Sequence, residues 1–298
     1  MKKKREGSVA TGGERRIIAL WGPHGSGKTL LAARLAASLA SVPGVQVSVL
    51  LCDRTVPALP VLFPEARERE LPSVGAALSA ADIDEETVLS SAVVCRKCPD
   101  LLFFGYTVGE NGFSYPSFSE GRATLFIRRL SLLCDYLIAD CVPEAQSDPL
   151  SSAAMKCADS VIRLYCPDMA SFAFYDSQLP LYAGDVWCAE NHLRVQNQTT
   201  GEIYLPVDES RSHMTRCAVS VPFSRQLKFA ASGGDLLTAP AGRAFDSALS
   251  KLEKALHSEG SLSLSDATDG GGRPADADAG LDGTDPGTEV GYGGGNVF

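Results

Sequence analysis

The run Arg16-Ile17-Ile18-Ala19-Leu20-Trp21 followed by Gly22-Pro23-His24-Gly25-Ser26-Gly27-Lys28-Thr29 constrains this chain more than any other feature. The first part is apolar and reads as a buried strand, and the second is a G-x-x-x-x-G-K-T turn. From Thr29 to Ala40, Leu30, Leu31, Leu35 and Leu39 recur among alanines as they would on a helix. Strand, glycine-rich turn and helix in that order form the setting in which the turn cradles phosphate. Gly22, Gly25 and Gly27 lack a Cβ, so the amides around them, Ser26 included, can turn inward as a nest for an anion. The helix beginning near Lys28 adds the positive end of its dipole. Lys28 would bridge the outer phosphates, and the Thr29 hydroxyl would ligate Mg²⁺.

The rest of the chain extends this unit. Pro43-Gly44 turns the helix into the apolar run Val45–Cys52, and further strands are expected at 101–104, 136–139, 160–165, 193–195 and 218–221. Helices are expected at 120–134, 148–157, 168–178, 224–231 and 243–257. Such alternation predicts an α/β fold, a doubly wound and mostly parallel sheet flanked by helices. Two strands end in acids suited to the magnesium: Tyr136-Leu137-Ile138-Ala139 in Asp140, and Val45–Cys52 in Asp53. Either acid alone could instead cap a helix. The predicted catalytic set is Lys28, Asp53 and Asp140, and the predicted metal set Thr29, Asp53 and Asp140.

Charge is uneven. From Ser258 to Phe298 there are eight acids and one base, so that stretch carries −7 of the total −9 and the remainder is close to neutral. Its Gly, Asp and Ser content cannot repay ordering entropy, which predicts a disordered tail over 258–298. Residues 1–14 read as a basic flexible arm and 15–257 as the nucleotide-binding domain. No apolar run is long enough to span a bilayer, and no apolar stretch follows Lys2–Arg5 as in a secretory signal, so a cytoplasmic location is expected. The nine cysteines then read as reduced thiols; Cys95-Arg96-Lys97-Cys98 lacks the second pair that zinc would want.

With these pieces in place, the chain resembles the ParA/MinD superfamily of P-loop ATPases, including its CpaE/TadZ-like group, over roughly residues 16–257. Ala158–Asp168 is similar to the family's alanine-aspartate, strand, threonine-proline-glutamate segment, and Val221-Pro222-Phe223-Ser224-Arg225 through Gly234 to its isoleucine-proline-tyrosine-aspartate segment. Asn197 falls where the family often places an adenine-contacting asparagine, and Pro222 joins the nucleotide set with it. No NKxD guanine-reading motif occurs, which favours ATP. The resemblance implies a slowly hydrolysing Mg-ATP switch that positions a cargo such as a plasmid, mobile element or secretion machine. It also implies a nucleotide-dependent homodimer and a protein partner, with contact to DNA or a membrane surface open.

The sequence departs from the family at positions tied to hydrolysis. Pro23 stands where an additional lysine is usual, Thr55 where a second aspartate would orient water, and Cys141-Val142-Pro143 shifts the usual switch proline by one. A non-hydrolysing nucleotide-dependent scaffold is therefore the alternative, with a small-molecule phosphotransferase a third reading. The Phe245, Leu249, Leu252 and Leu256 stripe reads as the last helix packing on the sheet rather than as a membrane anchor.

Overall fold

The computed structural model describes residues 15–63, 71–96, 98–200 and 217–262, with side chains to Ser258. The predicted basic arm, and the predicted tail beyond Leu262, lie outside these residues.

The described strands are β1 (Arg16–Trp21), β2 (Val47–Leu51), β3 (Val93–Val94), β4 (Leu101–Phe104), β5 (Tyr136–Asp140), β6 (Ser160–Tyr165), β7 (Leu193–Thr199) and β8 (Val219–Pro222). They form one sheet in the order β3-β4-β2-β5-β1-β6-β7-β8, parallel throughout except for β3 against β4. The helices are α1 (Lys28–Leu39), α2 (Leu59–Leu62), α3 (Val74–Ser79), α4 (Glu85–Ser90), α5 (Glu120–Ser131), α6 (Pro149–Cys157), α7 (Met169–Gln178), α8 (Arg225–Gly233) and α9 (Arg243–Leu262). Short 3-10 turns fill much of the path from α7 to β7.

Alternation along each strand divides the core in two. Ile18 and Leu20 of β1 face one apolar layer with Val49, Ile138 and Ile162, whereas Ala19 and Trp21 face the other with Leu137, Ala139 and Tyr165. Helices α1, α8 and α9 contribute to the first layer, and α3 to α7 to the second. Phe245, Leu249, Leu252 and Leu256 of α9 are all buried in the first layer, as the stripe predicted.

Local chemistry sets the helix starts. Asp148, Asp168, Ser119 and Ser224 each accept a bond from an amide in the first turn of α6, α7, α5 and α8. Helix α1 has no such side-chain cap, because its N-cap residue is Gly27 in the left-handed region. The orphan amides of its first turn are thus left facing outward from the end of β1.

Two sequence expectations need correction. Strand β7 does not stop at Val195; it runs through the polar Gln196–Thr199, so Asn197 lies within the strand and not beyond it. Helix α9 continues to Leu262, past the predicted helix end at 257. The nine cysteines are free, and the described residues contain no cluster of three or more potential metal ligands. No described helix is long and apolar enough to cross a membrane.

Candidate functional site

Strand β1 lies at the point where the sheet order reverses, with β5 on one side and β6 on the other. In open α/β sheets the crevice beyond the strand ends at such a point is where ligands bind. The loop leaving β1 closes one side of a cavity of about 370 Å³. Gly25, Gly27, Lys28, Thr29, Asp53, Asp140, Asn197 and Pro222 all line it, so the structure gathers eight of the predicted site residues around one space. Gly22 and Ser26 are not in the lining. They shape the loop from behind.

Gly22 is there because nothing larger fits: a Cβ would sit 2.1 Å from the Leu164 carbonyl oxygen and 2.9 Å from the Tyr175 hydroxyl. Gly25 and Gly27 have φ of 76° and 88°, where a side chain is strained. The Pro23 carbonyl is the hub of the loop. It accepts from the Ser26 hydroxyl at 2.8 Å and from Lys28 Nζ at 2.9 Å, and Lys28 Nζ also donates to the Gly22 carbonyl at 2.8 Å. The lysine is therefore folded over its own loop, buried, and paired with neutral carbonyls. Burial lowers its pKa, against the attraction of Asp140.

Asp140 closes β5 beside the start of α1. Its Oδ2 accepts from the Thr29 hydroxyl at 2.5 Å. Burial pushes this carboxyl up to about 6, opposed by the Lys28 charge and the Thr29 bond and aided by repulsion from Asp53. A buried carboxylate next to a hydroxyl, with a second carboxylate near enough to repel it, offers oxygen donors of the kind a hard divalent cation takes. These residues fit magnesium in ligand type. Asp53 is less committed: its Oδ1 accepts from the Thr55 and Val56 amides at 2.7 and 2.9 Å, an Asx turn after β2.

Asn197 does not extend freely into the cavity. Its Nδ2 donates to the Ser26 carbonyl at 2.7 Å, and Gln198 Nε2 donates to the Gly25 carbonyl at 2.7 Å. Gln198 was missed by sequence reasoning, and so was Trp21, whose Nε1 donates to the Pro143 carbonyl at 2.8 Å and ties the loop's base to the segment after β5. Phe223 and Lys228 also line the cavity. Thr55 is exposed and Pro23 is buried, and neither side chain carries a charge.

No protein-family model matches the chain, and no curated protein matches its sequence. Solved structures do match. The MinD cell division protein of Aquifex aeolicus has a TM-score of 0.62 at 16% identity, covering 80% of this chain and 97% of that one. MinD of Pyrococcus horikoshii, complexed with Mg-ADP, has 0.62 at 15%, covering 82% and 98%. A ParA family ATPase of Chlorobium tepidum has 0.63 at 15%, covering 79% and 96%. The fold is that of the MinD and ParA ATPases.

Proposed function

We propose that this chain is a cytoplasmic Mg-ATP-binding switch of the ParA/MinD kind with low intrinsic hydrolysis. The observation that carries the reading is the convergence of Lys28, Thr29 and Asp140 at the floor of one cavity, behind an uncapped helix start. An uncapped α1 offers its first-turn amides to an anion. Lys28 holds only neutral carbonyls, a weak set of partners that phosphate oxygens would replace with charge-assisted bonds. Thr29, Asp140 and Asp53 would hold magnesium, which neutralises charge on the phosphates when bound. Pro222, Phe223 and Asn197 line the remainder, where the base would lie. The likeness to a MinD complexed with Mg-ADP supports the choice of ligand.

Low turnover follows from what stands at two positions. Thr55 offers a neutral hydroxyl where a carboxylate would orient the attacking water, and Pro23 offers no cation to the phosphates. Those same two residues favour the second reading, a scaffold that binds nucleotide without hydrolysing it. A nucleotide-dependent homodimer and a protein partner accompany either reading.

Calorimetric titration with ATP, with magnesium present and after chelation, tests the proposal. Binding that weakens on chelation, and that loses this dependence in Asp140→Ala, is expected. ATP affinity indifferent to both changes would contradict the metal assignment. Steady-state phosphate release by the same preparation, abolished in Lys28→Ala, separates the switch from the scaffold.

A further inference from the structure

Resting on the phosphate-loop reading above, we infer that Asn197 and Gln198 are a positioning pair: a two-amide clamp from β7 that holds the loop in its anion-binding shape. Strand β7 carries a backbone irregularity. Strand β7 pairs with β8 at Val195↔Val219 and Gln196↔Ser220, then at Thr199↔Pro222, so β7 has one residue more than its partner in that interval. This is a bulge, a device that re-aims side chains beside functional sites. Gln198 lies in it with φ of 55°, one of two non-glycine residues with positive φ in the described chain. Such a conformation is strained for a residue with a Cβ. It persists here next to the candidate site.

The bulge has a consequence that a regular strand would not allow. Successive side chains of a strand point to opposite faces. Yet Asn197 and Gln198, adjacent in sequence, both reach the loop and donate to consecutive carbonyls, those of Ser26 and Gly25. Each bond is 2.7 Å.

The carbonyl that accepts and the N–H of the same trans peptide point in opposite directions. Drawing the Gly25 and Ser26 oxygens toward β7 therefore turns the amides of Ser26 and Gly27 the other way. Within the loop the Ser26 amide makes only a long 3.4 Å bond to the Pro23 carbonyl, so it is weakly engaged. The space is closely fitted as well: a Cβ on Gly27 would lie 2.5 Å from Asn197 Nδ2. The glycine thus serves the clamp in addition to the turn. With both amide nitrogens committed to carbonyls of the loop, the pair acts on phosphate through the loop.

Two ligands distinguish such a clamp from a direct contact with the base. Affinities for Mg-ATP and for inorganic tripolyphosphate, the latter by displacement of Mg-ATP, are measured on the full chain for wild type, Gln198→Gly, Gln198→Glu and Lys28→Ala, with melting temperatures alongside. Gln198→Gly relieves the positive φ and removes the amide, so stability is kept while both affinities fall by the same factor, roughly 5- to 10-fold for one neutral hydrogen bond. Gln198→Glu places an acceptor against a carbonyl and lowers both further. A fall for ATP alone would assign Gln198 to the base and overturn the clamp. Unchanged affinities in both Gln198 variants, with Lys28→Ala impaired, would overturn it too, leaving the phosphate site standing. Unchanged affinity in Lys28→Ala would instead remove the phosphate-loop reading and the clamp with it.

Discussion

The two walls of the cavity are built differently. On the loop side, Ser26, Lys28, Thr29 and Asn197 each hold a defined hydrogen bond, and three of these four side chains are buried. On the side of Asp53 to Val56 the structure is a single Asx turn, with Thr55 and Val56 exposed and Val56 63% accessible. Preorganised donors are what phosphate binding requires, and preorganised water-orienting groups are what rapid hydrolysis requires. The loop side holds preorganised donors, and the Asp53 side holds a single exposed turn. The contrast predicts that substitutions on the built wall damage folding and binding together, whereas the open wall tolerates change.

Gly22→Ala has the largest expected effect. The new Cβ would meet a backbone oxygen at 2.1 Å, and backbone on both sides is fixed by the sheet, so more than about 3 kcal/mol of stability should be lost in chemical denaturation. A variant that unfolds like wild type would show that the loop's base is not rigid.

Behind the built wall, acid should be the next strongest disturbance. His192 is buried beside Arg163, which donates Nη2 to the Ala189 carbonyl, and burial lowers the imidazole to about 4. With a folded value below the unfolded one, the unfolded chain binds more protons between about pH 6.5 and 4. Stability conferred by neutral His192 is then complete above pH 6.5 and lost as pH falls toward 4, on the order of 3 kcal/mol for a shift of this size. Denaturation at stepped pH should show a shallower decline in His192→Gln. Parallel curves would contradict this origin.

Gly25→Ala sharpens the comparison within the loop itself. No atom lies within 4 Å of its new Cβ, and only the φ of 76° opposes it, so the cost should be about 1 kcal/mol, well below that of Gly22→Ala. Equal losses at the two glycines would mean that backbone strain, not packing, governs both.

The smallest effect is expected on the open wall. Thr55→Asp should change stability by no more than about 0.5 kcal/mol, because the side chain is exposed and the turn is held by the Thr55 amide and not by its side chain, while raising phosphate release. A marked fall in melting temperature would show that this wall is structured after all.

Much of this was legible in the sequence, for physical reasons that can be assigned. The glycine-rich loop after β1, Lys28, Thr29 and Asp140 stand together around one cavity as the sequence pattern implied, because their signals are local and their strands are continuously apolar. The segment after Asp53 carried no such signal, since α2 has four residues and α3 and α4 six each, too short to display a helical period. Strand β7 was cut short because Gln196-Asn197-Gln198-Thr199 has no apolar alternation to extend it. Gln198 had no signal at all: its role comes from a bulge, and a bulge is a relation between two strands.

Equilibrium binding of Mg-ATP to wild type and to Lys28→Ala tests the central claim most directly. Lys28 is the buried cation of the loop, and charged hydrogen bonds to phosphate are strong, so the variant should bind on the order of 100-fold more weakly while melting as a folded protein. Affinity equal to that of wild type, in a variant shown to be folded, would contradict the assignment of this loop as a nucleotide site.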